Sequence, residues 1–427
     1  MKQITHLAAA FLLTAALTSA HAQDWNGSAT INHQLVPIHL SLSTPAADGS
    51  VTGSFLNGPE KVSSNHGTLR NGHLVLNFDY FARKLEGDIQ DGKLEATYSG
   101  ARGTPVALTL EKNAESCDSN LTNAEVSKIS GDWEVAVKSP KGESAWTLRV
   151  TPAGSNLQQA KAVVLRIDGD TGGLYGGYDA ATQQYRFAHF TAAGPALYGI
   201  RLAGDGTVTL TNLLRDGQQW TARRPAEARK ENLAPPTKTA EQTTVVDPTQ
   251  PLAFAAPELG SGNVITNADP RFANKVVIVA IGGSWCPNCH GEAPLLVELY
   301  KKYHSKGLEV VSLSFEEEDQ LKDPQRLRAF KQKYGIPYPI LVAGTPDQLA
   351  EKLPQGKNLN CWPTAFFVGR DGLVKEAHAG FSGPATGQSY VDLKAETESL
   401  VEQLLKQPTP AKAVTASLAA ADSPKRN

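Results

Sequence analysis

The stretch Val276–Tyr303, VVIVAIGGSWCPNCHGEAPLLVELYKKY, constrains the fold of this chain more than any other. Val276 to Ile281 is an almost unbroken β-branched and apolar run, the pattern of a strand buried on both faces of a sheet. Gly282, Gly283 and Ser284 interrupt it. Leu295, Leu296, Leu299, Tyr300 and Tyr303 then fall on one face of an amphipathic helix. Strand, tight turn and helix together place Cys286 and Cys289 on the first helical turn. Unpaired N–H groups and the positive end of the helix dipole favour a thiolate there, so Cys286 is expected to attack. Cys289 lies on the same face, placed to close a small disulfide ring and to resolve a mixed disulfide formed at Cys286. Pro287 suits the first turn, and Pro294 is expected to kink the helix.

Other chemistries fit the same residues less well. Cys286 to His290 also spells C-x-x-C-H, a c-type haem attachment pattern. The single methionine is Met1, however, and the buried strand before the motif suits a redox turn better. A structural zinc would need more ligands at metal spacing, whereas Cys117 and Cys361 stand alone. An inert structural disulfide is a poor match for so tight a ring. The reading is a redox-active Cys286–Cys289 pair that uses no metal and no cofactor.

Residues 1–22 read as a signal peptide, with Lys2, an apolar core from Leu7 to Ala20 and the small-x-small site Ala20-His21-Ala22. The apolar run is short for a membrane span, which takes roughly 20 residues, so no membrane insertion is expected. The mature protein is expected to be exported, into the periplasm where the host has one. With 41 Lys and Arg against 43 Asp and Glu, no polybasic surface argues for nucleic acid.

Two all-β domains are expected next, 23–113 and 129–225, joined by a polar linker, 114–128. Alternating runs such as Leu74-Leu76-Phe78 are separated by hairpin signals at Asn57-Gly58, Asn71-Gly72, Asp91-Gly92, Asp168-Gly169, Asp205-Gly206 and Asp216-Gly217. Phe78-Asp79-Tyr80-Phe81 and its followers parallel Phe187-Ala188-His189-Phe190 and its followers, with Trp25 and Trp133 at corresponding starts. An internal duplication is the reading. Asp168–Tyr178, DGDTGGLYGGY, lacks the ordered oxygen ligands of a calcium loop and reads as a glycine-rich turn. His33, His39, His66 and His73 show no metal-ligand spacing. Residues 226–252 read as a semi-extended linker and 408–427 as a disordered tail.

From 253 to 407 strands and helices alternate. Strands are expected at 308–315 and 338–343, helices at 324–334, 346–353 and 391–405, and a hairpin at 364–377, giving a mixed sheet covered by helices. This unit resembles the TlpA-like thiol–disulfide oxidoreductases, the exported branch of the thioredoxin superfamily. The resemblance rests on Trp285-Cys286-Pro287-Asn288-Cys289 with Glu292 and Pro294, and on Trp362-Pro363-Thr364-Ala365-Phe366-Phe367-Val368 with Arg370-Asp371-Gly372. It implies an α/β thioredoxin fold and a cis peptide before Pro363, facing the cysteines. It further implies a groove bordered by Trp285, Trp362 and Pro363 that pairs with a substrate backbone. Protein thiols and disulfides would be the substrates, and a membrane thiol reductase the electron donor.

Ala280 stands where many members bury a carboxylate. Glu292, one helical turn beyond Cys289, is the expected proton acceptor in its place. His290 is expected to be exposed. Cys361 is expected to pair with Cys117 or to remain a third thiol. The function expected is that of an exported thiol–disulfide oxidoreductase. One alternative is a thiol peroxidase, although Gly283 and Val279 stand where those enzymes place a Thr or Ser and a proline. The other is a binding protein whose β-domains carry the main role.

Overall fold

The computed structural model describes residues 22–100, 103–123, 125–154, 159–215 and 217–408. The expected leader up to residue 21, Asp216 and the tail from 409 lie outside the described residues.

The first β unit is an open antiparallel sheet of nine strands. Gln23–Ile31 pairs with both Gln34–Leu42 and Val106–Lys112, so the unit's first and last strands meet in mid-sheet. Glu60–Ser63 and His66–Arg70 form the two edges. The hairpin signals Asn71-Gly72 and Asp91-Gly92 act as expected. Asn71 and Gly72 both take positive φ, 50° and 81°, and Asp91 and Gly92 take 51° and 79°, the geometry that matches strand twist. Lys93–Gly100 alternates as its sequence does, sending Leu94, Ala96 and Tyr98 inward.

The second unit is a closed barrel. Ala145–Thr151 pairs with both Gly131–Ala136 and Ala160–Arg166, and Gly131–Ala136 pairs in turn with Gln219–Arg223. Its interior is filled by Trp133, Leu148, Val164, Phe187, Ile200 and Leu210. The two units therefore differ in closure. Their parallel segments differ too: Asp79–Phe81 is a short 3-10 turn, whereas Ala188–Phe190 runs mid-strand in Gln184–Thr191.

The units also share a core. Phe190 of the barrel sits 4.7 Å from Phe55 and 5.2 Å from Tyr98 of the first unit. Asn57 brackets it, its Nδ2 donating to the Phe190 carbonyl at 3.0 Å and its Oδ1 accepting the Phe190 N–H at 2.8 Å.

The C-terminal sheet runs Ile340–Gly344, Leu308–Phe315, Val276–Gly282, Thr364–Val368, Val374–Ala379; the first three strands are parallel and the last two antiparallel. Val276–Gly282 is central. Val276, Ile278 and Ala280 face a layer with Leu296 and Leu299, while Val277, Val279 and Ile281, beside Phe366 of the neighbouring strand, face Phe254 and Phe272. Two covered faces explain the unbroken apolar run. The helix Pro287–Tyr303 continues through Pro294. The stretch 226–252 is less extended than expected: it holds helices Pro225–Lys230 and Thr239–Gln242, and Thr244–Val245 pairs with Gly356–Lys357. Among the described residues no helix is long and apolar enough to cross a membrane.

Candidate active site

Cys286 is the N-cap of the helix Pro287–Tyr303, and its Sγ accepts the Cys289 N–H at 3.3 Å. The same Sγ lies 3.5 Å from the Trp362 carbonyl, next to the cis Trp362–Pro363 bond. The structure thus brings together Trp285, Cys286, Cys289, Trp362 and Pro363; the Trp285 and Trp362 rings meet edge to face at 5.4 Å. Both thiols are free and deeply placed, Cys286 3% and Cys289 6% exposed. Burial raises the Cys289 thiol well above its ordinary range, and the neighbouring Cys286 and Glu292 add to the shift.

Glu292 is buried one turn further along. Burial pushes its carboxyl from 4.5 up to about 8. It shares a cavity of about 20 Å³ with Cys289, Ser312, Ser314 and Tyr338, room for about one water between carboxyl and thiol.

The turn leading into the cysteines is pinned from below. Ser284 donates both its N–H and its Oγ–H to Glu316, each at 2.7 Å. Arg326 donates to Ser284 Oγ at 2.7 Å and to Glu316 at 2.8 Å, and also pairs with Glu317. Gly283 permits the close approach: a Cβ there would lie 2.3 Å from Trp285 Nε1 and 2.5 Å from the Phe315 oxygen. Sequence reading missed this network; Glu316 and Arg326 carry no local pattern that marks them as buried.

His290 departs from the expectation of exposure. It is buried, and burial holds it down to about 3, so it is neutral. Its Nε2–H donates to the Ser284 carbonyl at 2.9 Å, which leaves Nδ1 to accept from the Tyr334 hydroxyl at 3.1 Å. Its ring stacks on Phe81 of the first β unit at 4.1 Å, because the 3-10 turn Asp79–Phe81 docks on the helix Gln325–Tyr334. Lys333 caps the same contact, its Nζ 3.6 Å from the Tyr80 ring centre.

The barrel approaches from the other side. Asn288, between the cysteines, donates Nδ2–H to the Asp168 carbonyl at 2.8 Å. Cys361 is buried against Ile167 and Ala379, and burial pushes its thiol up to about 12. Cys117 lies exposed beside the Gly27 carbonyl. Both of these thiols are free, and no bond joins them.

Residues 249–377 match the AhpC/TSA family. The chain is 30% identical over 106 residues to the thiol-disulfide oxidoreductase ResA of Bacillus anthracis, covering 25% of this chain and 56% of that one. It is 27% identical over 119 residues to the thioredoxin-like protein YneN of Bacillus subtilis, covering 28% and 65%. The C-terminal unit is thus similar to AhpC/TSA-family proteins, to thiol-disulfide oxidoreductases and to a thioredoxin-like protein. The chain spans a little over half the length of the ResA relative. A putative thiol:disulfide interchange protein DsbE from Chlorobium tepidum is similar over 38% of this chain and 99% of its own, at 22% identity and a TM-score of 0.30.

Proposed function

We propose that this protein is an exported thiol–disulfide oxidoreductase acting on protein disulfides outside the cytoplasm. The observation that carries the reading is Cys286 capping its helix, with Cys289 one turn behind it and the cis-Pro363 segment across from it. A cap that accepts a backbone N–H at the positive end of a helix is set up to carry negative charge on sulfur. In the reductive direction the Cys286 thiolate attacks one sulfur of the substrate disulfide. The substrate S–S bond breaks, a mixed disulfide forms, and the departing thiolate takes up a proton. Cys289 loses its proton and attacks the Cys286 sulfur. The second substrate thiol is released, and the pair is left as the Cys286–Cys289 disulfide, two electrons poorer. Glu292, which holds its own proton up to about pH 8, accepts the Cys289 proton through the small cavity in its ionised form, and a proton is returned to the departing substrate thiolate.

A membrane thiol reductase returns the electrons, the signal peptide directs the chain to the periplasm, and β units at 23–113 and 129–225 precede the redox unit at 253–407. The test is turnover of a protein disulfide with a dithiol reductant. Cys286→Ser is expected to bring it to background, and undiminished turnover in that variant sinks the reading. The AhpC/TSA match favours a second reading, a thiol peroxidase. Against it, a Thr or Ser side chain has no room at Gly283. Cys286-dependent peroxide consumption would decide for it.

A further inference from the structure

The barrel segment Ile167–Asp170 lies across the face that any partner of Cys286 must share. Gly169 is pressed between the motif and the loop after the last strand: a Cβ there would lie 2.3 Å from Asn288 Nδ2 and 2.7 Å from the Phe381 oxygen. Gly380 is the reciprocal contact, where a Cβ would meet the Ile167 oxygen at 2.1 Å. Ile167 packs on Cys361, two residues before the cis proline, and on Ala379. Asp170 reaches across to accept the Gly383 N–H at 2.6 Å and is itself buried. The segment is held from its own side as well, since the Ile167 N–H donates to Glu143 at 2.8 Å and Lys141 pairs with Asp168 at 2.9 Å. The Trp362 carbonyl lies against Cys286 Sγ, Asn288 stands between the two cysteines, and Phe381 of the 379–383 loop packs by Gly291 on the same helix; the barrel segment touches Asn288, Cys361 and that loop. The approach left open is bordered by Trp285 and Trp362, both half-buried, and by exposed Pro287.

We propose that Ile167–Asp170 is the specificity element of the dithiol: it occupies the place of a substrate strand, so that small disulfides reach Cys286 directly and protein disulfides only when the segment is displaced. Its grip is suited to displacement. Across the interface it is held by the hydrogen bonds from Asn288 to the Asp168 carbonyl and from the Gly383 N–H to Asp170, beside one buried isoleucine. The barrel's ladder closes through other strands, so release of this segment leaves the barrel intact.

The inference rests on the oxidoreductase reading for its choice of substrate, but its test reads access to sulfur and needs no turnover. In the reduced full-length chain, the rate at which Cys286 is alkylated by iodoacetamide is compared with that for a polyethylene-glycol maleimide. Rates are normalised to the same cysteine in urea, and the site is mapped by mass spectrometry. The folded chain is expected to discriminate against the bulky reagent by at least about tenfold, since modification then waits on local opening. Gly169→Val, which has no room for its side chain, and Asp170→Ala, which frees the Gly383 N–H, are expected to remove most of that discrimination while circular dichroism stays unchanged. Equal normalised rates for the two reagents in the parent chain would overturn the proposal. So would folded variants that discriminate as strongly as the parent.

Discussion

At the scale of single residues, the Glu292 carboxyl gives the sharpest pH signature. Its value is about 8 in the folded chain against an ordinary 4.5. Between those values the unfolded chain has lost the proton and the folded chain keeps it, so this carboxyl makes stability fall as pH rises through the window. Glu292→Gln keeps the shape and removes the titration. Relative to the parent, its stability by urea unfolding is expected to improve progressively from pH 4.5 to 8 and to level off above, by on the order of a few kcal/mol. A pH-independent difference would contradict the placement of this carboxyl. The same variant is expected to slow resolution of the Cys286 mixed disulfide by about tenfold or more, followed by quenched-flow mass spectrometry. Cys286 and Cys289 were legible in the sequence because strand, turn and helix patterns fix where they sit, whereas Pro363 was placed by the family resemblance alone. His290 was not: its burial comes from Phe81, more than two hundred residues earlier in the chain, and helical periodicity carries no trace of that partner.

At the scale of elements, the central strand was readable because its neighbours cover both faces, and the hairpins because Asn-Gly and Asp-Gly demand positive φ. The contacts between elements were not readable. Phe190 looks in sequence like one more inward strand residue, yet it fills the open side of the first unit beside Phe55 and Tyr98. Phe190→Ala is expected to cost about 3–5 kcal/mol and to loosen the first unit as well as the barrel, read by amide exchange at Leu76 and Tyr98. Loss confined to the barrel would count against the shared core. Arg326→Met leaves Glu316 buried without its cation, an expected loss of about 3–5 kcal/mol in urea unfolding. A cost of under about 1 kcal/mol, the scale of an exposed pair, would contradict the network beneath Ser284.

At the scale of the whole molecule, both β units converge on the N-terminal end of the redox helix, one through Phe81 and the other through Asp168. The sequence showed three kinds of segment without showing this convergence, because the glycine-rich Asp168–Tyr178 run has no periodicity from which to infer a partner. Arg149 ties the barrel to the last helix region, donating to the Thr386 carbonyl at 2.8 Å and to Ser389 at 3.0 Å. Arg149→Ala is expected to speed amide exchange around Thr386 while sparing the barrel interior. The claim on which the molecule's function turns is the division of labour between two sulfurs. Reduced Cys289→Ala chain, mixed with an oxidised protein substrate and quenched in acid, tests it most directly. A mixed disulfide confined to Cys286 is the predicted result; adducts on Cys117 or Cys361 instead, or none at all, would contradict it.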